Sequence, residues 1–339
     1  MRYLVTIEAG LEPLLADELS RYGVEVLQHL DGALVCATED RSSIERSRLA
    51  RAAFTLFESG EAPSIDALRD AAGTVDWDGL SGADSFRVTA SVRDASIDAR
   101  ELAGACGAAI QRRYGTDVKL KGFDYEAYVH VTADWWGFGT PLRDRPSAER
   151  VRRPTPLRTA LKPNVAAALL QLVGADQKEG RLIDPLCGGA TIPIEASHYA
   201  HLEIEASDWD EPTVAVAQEA CDANGVSLAI QHADARQLGA QHPQRYDFIV
   251  TDPPYGVRQA RHTGLGRLYL GLLESFAEAI RPGGRVGVVA LKAKTFRRAA
   301  EATGWQIDAA VPVDLGGLKP LLFSLSRATP STPTTASRR

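Results

Sequence analysis

Strand-like and helix-like segments alternate from Arg181 almost to the end of the chain, and this alternation restricts the fold more than any other feature. Amphipathic segments such as 213–223 and 268–280 separate short apolar runs. This pattern predicts a doubly wound parallel sheet. No helix separates the final two runs, so the last strand should pair antiparallel with its predecessor through a hairpin. The predicted strands are 181–186, 201–208, 227–234, 246–253, 285–291, 305–313 and 320–326.

The first 142 residues are organised differently. Their strands and helices do not alternate strictly, and this predicts an α+β arrangement rather than a parallel sheet. The predicted helices cover 11–19, 43–57 and 97–114, and the predicted strands cover 3–7, 24–27, 33–36, 86–92, 118–120 and 125–131.

Composition excludes several classes of protein. An apolar content of 45% and a charged content of 24% are typical of a folded globular chain. The 38 basic and 44 acidic residues give a net charge of -6, which excludes a uniformly cationic nucleic-acid coat protein but not a local basic face. Acids at Glu8, Glu12 and Asp17 interrupt the N-terminal apolar residues, so we expect neither a signal peptide nor a membrane span.

The cysteines and histidines predict no metal site. The four cysteines form no C-x-x-C pair, and the histidines show no H-E-x-x-H spacing. A disulfide framework is equally disfavoured, and a reducing, cytoplasmic location fits best.

Basic side chains concentrate in three places: between Arg112 and Lys121, between Arg143 and Lys162, and around Lys292 and Lys294. Between Arg143 and Lys162, seven basic residues stand against two acidic ones, in a segment with prolines typical of a linker. Alone, each cluster is compatible with an ordinary solvated surface, but together they predict a phosphate-binding track. The candidate RNA-binding residues are Arg112, Arg113, Lys119, Lys121, Arg145, Arg150, Arg152, Arg153, Lys292 and Lys294.

Candidate site residues follow the predicted strands, because ligands of doubly wound sheets bind beyond the carboxyl ends of the strands. Gly188 and Gly189 follow the first strand, where small residues allow close approach of a ligand to the backbone. Asp208 lies 20 positions after Gly188, a spacing suited to the ribose hydroxyls of an adenosine. Asp234 could accept a hydrogen bond from an adenine amino group. Asp210, close to Asp208, is as well suited to capping the next helix as to binding a ligand.

The fourth strand ends in Asp252-Pro253-Pro254-Tyr255-Gly256, the sharpest signal in the chain. Two prolines cannot continue a central strand, so nearby carbonyls point away from the ladder as acceptors. A carboxylate, a fixed carbonyl and an aromatic ring together form a site for a planar aromatic amine. We therefore predict that Asp252, Pro253, Pro254 and Tyr255 form the catalytic site.

These motifs resemble those of class I S-adenosylmethionine (SAM)-dependent methyltransferases. Asp184–Thr191 is similar to the first cofactor motif, and 252–255 is similar to the [DNS]-P-P-[YFW] signature of amino methyltransferases. Residues 161–169 and 281–284 resemble THUMP-domain RNA guanine-N2 methyltransferases. The resemblance implies SAM as cofactor, bound by Asp184, Pro185, Cys187, Gly188, Gly189, Thr191, Asp208, Trp209, Asp234, Ala235 and Asp252.

The resemblance also implies a domain order and a fold. We expect a seven-stranded Rossmann-like methyltransferase domain with an antiparallel last strand, preceded by α+β domains. The expected segments are a ferredoxin-like domain at 1–45, a THUMP domain at 46–142, a basic linker at 143–163, the methyltransferase domain at 164–328 and a disordered tail at 329–339.

The implied reaction is methylation of the N2 amine of a guanosine in tRNA, with no membrane and no obligatory protein partner. Signals for the target are mixed, since 251–258 resembles enzymes acting on core position 10 and Cys187 with 192–196 resembles acceptor-stem enzymes acting on position 6. Ala190 stands where the family commonly has glycine. The alternatives are an N2 amine in ribosomal RNA, an adenine N6 amine, or an inactive RNA-binding relative. A nicotinamide dehydrogenase is disfavoured because G-x-G-x-x-G is absent.

Overall fold

The computed structural model describes residues 1–61, 63–93, 96–142, 150–155, 157, 160–254 and 264–327. The chain divides into two compact units, Met1–Ser147 and Ala148–Arg339. The predicted tail at 329–339 lies outside the described residues, as does much of the predicted linker.

The N-terminal unit contains one eight-stranded sheet. Its strands are β1 Arg2–Thr6, β2 Glu25–Leu30, β3 Ala33–Ala37, β4 Ala52–Glu61, β5 Ser85–Val92, β6 Asp117–Val118, β7 Tyr125–Val131 and β8 Trp135–Pro141. Its helices are α1 Glu12–Arg21, α2 Arg41–Glu45, α3 Ile65–Thr74 and α4 Ala99–Tyr114. The strand order is β2-β3-β1-β4-β8-β7-β5-β6, so strands on both sides of residue 45 share the sheet, and the predicted domain boundary there stays a prediction.

The helix predicted over 43–57 is wrong beyond Glu45. The chain instead forms β4, which pairs antiparallel with β1 on one side and β8 on the other. Phe54 and Leu56 are two positions apart and both are buried, as expected for one face of a strand. Because the apolar residues also fit a helical period, neighbouring strands rather than local preference decide the structure.

The sequence pattern missed β8. Gly137 and Gly139 interrupt its apolar residues and weaken the strand signal. A Cβ at position 139 would collide with the Thr55 carbonyl oxygen of β4, so the close pairing of these strands requires glycine there.

The C-terminal unit is the predicted doubly wound domain. Its strands are β9 Gly180–Asp184, β10 Leu202–Asp208, β11 Ile230–His232, β12 Tyr246–Thr251, β13 Ile280–Ala290, β14 Trp305–Pro312 and β15 Leu321–Arg327. Its helices are α5 Pro163–Leu172, α6 Thr191–Ala196, α7 Glu211–Ala223, α8 Leu238–Gln241, α9 Leu265–Ala279 and α10 Ala293–Ala302.

The seven-stranded sheet has the order β11-β10-β9-β12-β13-β15-β14. β15 pairs antiparallel with both β13 and β14, which confirms the predicted seven-stranded fold with an antiparallel last strand. The chain adds β10 and β11 on one side of β9 and then β12 and β13 on the other. The direction of winding therefore reverses between β9 and β12, and their carboxyl ends flank the crevice where doubly wound proteins bind ligands.

Three further observations concern the described residues. Among them, no helix is long and apolar enough to cross a membrane, and no group of three or more His, Cys, Asp or Glu side chains could hold a metal ion. All four cysteines are buried and free.

Candidate active site

The loop from Pro185 to Ala190 joins β9 to α6 and forms the floor of the candidate site. The N–H of Cys187 donates to the Ser207 carbonyl at 2.9 Å, which ties the loop to the end of β10. Gly188 is left-handed, with φ +51°, and nothing lies within 4 Å of the position of its missing Cβ. A ligand can therefore reach this backbone closely.

Ala190 ends the loop and is also left-handed, with φ +57° and ψ 26°. The left-handed conformation costs an L-residue roughly 1–2 kcal/mol relative to glycine, which gives a physical reason for the glycine that the resemblance leads us to expect here. The Ala190 methyl is fully buried in an apolar cluster with Ile194, Ala217 and Cys221. Ala190 is thus accommodated with the loop intact.

Asp208 is the last residue of β10 and is 7% exposed. Its Oδ2 accepts from the Gly188 N–H at 3.0 Å and its Oδ1 from the Asp210 N–H at 3.1 Å. Each carboxylate oxygen can accept a second hydrogen bond, so capacity remains for the two ribose hydroxyls. Trp209, 67% exposed, follows directly. Asp210 caps α7 by accepting from the Thr213 N–H, which confirms that prediction.

Asp234 follows β11 and is bound to its neighbour Arg236. The guanidinium donates to both carboxylate oxygens, with the shortest distance 2.6 Å, and these hydrogen bonds hold the pKa of Asp234 below its usual value. Ala235 is buried beside it. An adenine amine at this position would share the Asp234 carboxylate with Arg236.

Asp184 ends β9 and is almost completely buried, at 1% exposed. Its Oδ1 accepts from the Thr251 hydroxyl at 2.7 Å and from the Leu186 N–H at 3.2 Å. Burial raises its pKa to about 8, with smaller contributions from the charges of Asp208 and Asp252. The group is therefore mainly protonated at neutral pH, and a bound cation would favour its ionised form.

Asp252, Pro253 and Pro254 leave the sheet directly after β12. Asp252 is partly exposed, Pro253 is buried and Pro254 is exposed. β12 pairs in parallel with β9, so Asp252 and the loop after β9 leave the same edge of the sheet on neighbouring strands. The charge of Asp252 accordingly raises the pKa of Asp184. Tyr255, the predicted stacking residue, lies outside the described residues. Sequence reasoning did not find Thr251, although a polar residue that ends an apolar strand is a usable signal.

The predicted RNA-binding residues fall into two groups. Arg112, Lys119, Lys121, Arg152, Lys292 and Lys294 are exposed. Others bind within the protein: Arg150 donates to both oxygens of Glu195 at 2.9 and 2.8 Å, and Arg153 donates to the Thr191 hydroxyl at 2.9 Å. Arg113 is exposed as well, although its guanidinium donates to the Val75 carbonyl beyond α3 at 2.6 Å. Arg145 lies outside the described residues.

The reversed winding, the antiparallel β15, the open loop after β9 and the acid that ends β10 define a class I methyltransferase. The sequence model of the RMKL-like methyltransferase domain matches residues 150–320, and that of the THUMP domain matches residues 62–139. The chain therefore belongs to the RMKL-like methyltransferase family and carries a THUMP domain, which confirms the resemblance noted in the sequence.

Individual relatives agree with this assignment. The chain is 34% identical to a tRNA (guanine(6)-N2)-methyltransferase of Thermus thermophilus, over 95% of this chain and 98% of the relative. The crystal structure of TrmN from Thermus thermophilus matches with a TM-score of 0.83 at 31% identity and covers 97% of this chain and 100% of its own. A ribosomal RNA large subunit methyltransferase K/L of Hahella chejuensis is 27% identical over 78% of this chain, which spans 45% of that longer protein.

The site fits SAM, the methyl donor of these enzymes. The backbone at Gly188 is open, Asp208 has acceptor capacity for ribose, and the charges of Asp208 and Asp252 act together at this edge of the sheet, which suits a cationic ligand. The protein is a SAM-dependent methyltransferase. Cys187 packs in the apolar cluster around Ala190, and burial raises the pKa of its thiol, which disfavours the thiolate form.

Proposed function

We propose that this enzyme methylates the exocyclic N2 amine of a guanosine in tRNA and forms N2-methylguanosine. One observation carries the proposal: Asp252 and Pro253 follow β12, the strand next to β9 and its loop, in a chain 34% identical over 95% of its length to an enzyme named for guanine-6 of tRNA. The THUMP match at residues 62–139 supports an RNA substrate. Position 6 is the favoured target, and core position 10 is the alternative.

The guanine N2 lone pair is delocalised into the ring, so the amine is a weak nucleophile and needs to be oriented. In our proposal the Asp252 carboxylate and the Pro253 carbonyl accept its two N–H groups and aim its lone pair at the methyl group. Pro254 keeps the backbone out of the ladder, and Tyr255 stacks on the base. Bound SAM supplies an electrophilic methyl group on a sulfonium.

The transfer forms one N–C bond, breaks one S–C bond and leaves an excess proton on the amine. Asp252 is the nearest predicted acceptor for that proton, either directly or through water. Asp184 is less suited to this role, because it is buried beneath the loop and already accepts two hydrogen bonds.

The remaining candidate residues keep their proposed roles. Asp208 and Trp209 face the ribose and adenine, and Asp234 with Ala235 flanks the base. Phosphates of the tRNA bind the exposed basic residues Arg112, Lys119, Lys121, Arg152, Lys292 and Lys294. Four buried free cysteines suit a reducing compartment, and we place the enzyme in the cytoplasm.

The test uses purified enzyme, labelled SAM and unmodified tRNA transcripts, followed by mass spectrometry of the nucleosides. We expect N2-methylguanosine in the product. Replacing the target guanosine by inosine, which lacks only the N2 amine, should abolish incorporation, and separate replacements at positions 6 and 10 identify the target. Label in adenosine, or in ribosomal RNA but not tRNA, would overturn the proposal. The match to an RNA methyltransferase K/L makes ribosomal RNA the appropriate comparison substrate.

A further inference from the structure

The sequence predicts that Arg153 contacts RNA, but its guanidinium lies at the end of the Pro185–Ala190 loop, the cofactor loop. Its Nη2 donates to the Thr191 hydroxyl at 2.9 Å and approaches the Leu161 carbonyl at 3.3 Å. Thr191 follows directly after the Gly188–Ala190 segment of the loop. The side chain is thus held at the end of the loop opposite the connection to β9.

The segment that carries Arg153 packs on this loop. A Cβ at Gly189 would stand 3.1 Å from Leu157 Cδ1 and 3.9 Å from Ala160 Cβ. The main chain around Arg153 is fixed as well, because the Arg152 N–H donates to Asn224 Oδ1 at 3.0 Å and the Asn224 amide donates to the Arg152 carbonyl at 2.8 Å. Arg153 is therefore positioned by the fold and does not depend on RNA for its place.

Arg150 has an ionised hydrogen-bond partner, whereas Arg153 has only neutral ones in the described part of the chain. Arg150 forms a two-point ion pair with Glu195, which is 1% exposed. Arg153 donates to a neutral hydroxyl and a neutral carbonyl, and its buried Nε has no hydrogen-bond acceptor among the described residues. Burial lowers the pKa of the Arg153 guanidinium, while the more distant charge of Glu195 acts in the opposite direction. A half-buried guanidinium with neutral partners is suited to an incoming anion.

SAM carries one anionic group at neutral pH, the carboxylate of its methionine part. Asp208 and Asp252 suit the sulfonium, the ammonium and the ribose, but they would repel a carboxylate. Arg236 is already paired with Asp234. A cation beside the loop would stabilise the carboxylate, and the Arg153 guanidinium is bound at Thr191, at the end of this loop.

We propose that Arg153 binds the methionine carboxylate of SAM and is a cofactor-recognition residue rather than an RNA contact. The proposal depends on the cofactor alone and is independent of the RNA substrate proposed above. It also gives this part of the predicted linker a function, since Arg153, Leu157 and Ala160 would form one wall of the cofactor site. Arg298 on α10 is exposed and provides a matched control.

The experiment is calorimetric titration of the full-length protein without RNA, with SAM and with decarboxylated SAM, which lacks only the carboxylate. We expect R153Q to weaken SAM binding by about 10- to 100-fold, the range for a hydrogen-bonded charged group. Binding of decarboxylated SAM should be the same for R153Q and the unaltered protein. R298Q should bind both ligands normally.

Two outcomes would overturn the proposal. If R153Q weakens both ligands equally, Arg153 supports the loop without recognising the carboxylate. If R153Q binds SAM normally but loses affinity for tRNA in a filter-binding assay, Arg153 is an RNA contact. R153K keeps the charge but not the planar fork, and we expect it to restore part of the preference for SAM over the decarboxylated ligand. Thermal unfolding of each variant checks that the fold is retained.

Discussion

Two sets of charged residues in the C-terminal unit lie in contrasting environments. At the carboxyl ends of β9 and β10, Asp184 and Asp208 are buried, and their oxygens accept hydrogen bonds of 2.7 to 3.2 Å from a hydroxyl and from backbone N–H groups. Lys292 and Lys294, which follow β13, are exposed. One set is fixed by the fold, and the other is surrounded by solvent.

The difference indicates how each set contributes to function. A buried, fixed group leaves its partners unsatisfied when it is removed, so single substitutions have large effects. An exposed charge acts through a screened field, so its contribution is small, additive and dependent on salt. Substitutions of the buried acids should therefore act by changing the geometry of the cofactor site. Substitutions of the exposed basic residues should instead change how binding depends on ionic strength.

The largest effect is expected at Asp252. D252A removes a proposed acceptor for the amine, and loss of one positioned hydrogen-bonding group commonly lowers turnover by about 10²–10³. Single-turnover rates with saturating SAM and tRNA measure this loss without a contribution from cofactor affinity.

D252N distinguishes two roles of this residue, positioning of the amine and acceptance of its proton. Its amide oxygen still accepts a hydrogen bond but cannot take a proton, so we expect it to recover part of the lost rate if positioning dominates. A rate as low as that of D252A would indicate proton acceptance by the carboxylate. D222A, at an exposed position of α7, is the control. An unchanged rate for D252A would remove Asp252 from the catalytic site.

Asp184 should make stability depend on pH in an unusual direction. Its pKa rises from 3.8 to about 8 in the folded protein, so between those values the native state binds more protons than the unfolded state. The free energy of unfolding then decreases as pH rises, with a contribution of about 1.4 kcal/mol per pH unit from this one group.

Urea unfolding of the protein and of D184N at pH 5, 6 and 7 measures this contribution as a difference in slope. Asparagine resembles the protonated acid and keeps the Oδ1 that accepts from Thr251, so D184N should lack the decrease. D222N removes an exposed carboxyl and should retain it. Parallel slopes for D184N and the unaltered protein would show that Asp184 is ionised throughout.

The fold was predictable where strands are buried on both faces. β12 spans Tyr246–Thr251, inside the predicted 246–253, because a continuous apolar run bounded by Pro and Asp allows few alternatives. β4 was not predictable, because its apolar residues fit two periods and its partners β1 and β8 are distant in sequence. The parallel strands of the seven-stranded sheet can thus be predicted from local sequence. Those of the eight-stranded sheet depend on pairing between strands that are distant in sequence.

The candidate site shows the same division. The positions of Asp184, Asp208 and Asp252 follow from the strands that they end, since parallel strands bring their carboxyl ends to one edge. The Thr251–Asp184 hydrogen bond joins residues 67 positions apart, and the Arg153–Thr191 hydrogen bond joins residues 38 apart. No local pattern records such contacts, so Arg153 was assigned from its charge alone.

The smallest effects are expected at the exposed lysines. Lys292 and Lys294 flank the carboxyl end of β13, next to β12 in the sheet, whereas Lys178 precedes the amino end of β9. Each phosphate contact contributes about 0.9 to the slope of log affinity against log salt, so K292A/K294A should reduce the fall in tRNA affinity between 50 and 200 mM salt about tenfold. K178A should leave the slope unchanged, and SAM affinity should be unaffected in all three proteins. If the slope of log affinity against log salt is equal for K292A/K294A and K178A, the RNA binds elsewhere. If K292A/K294A still loses tRNA affinity at high salt, these lysines act through fixed geometry, like the buried acids.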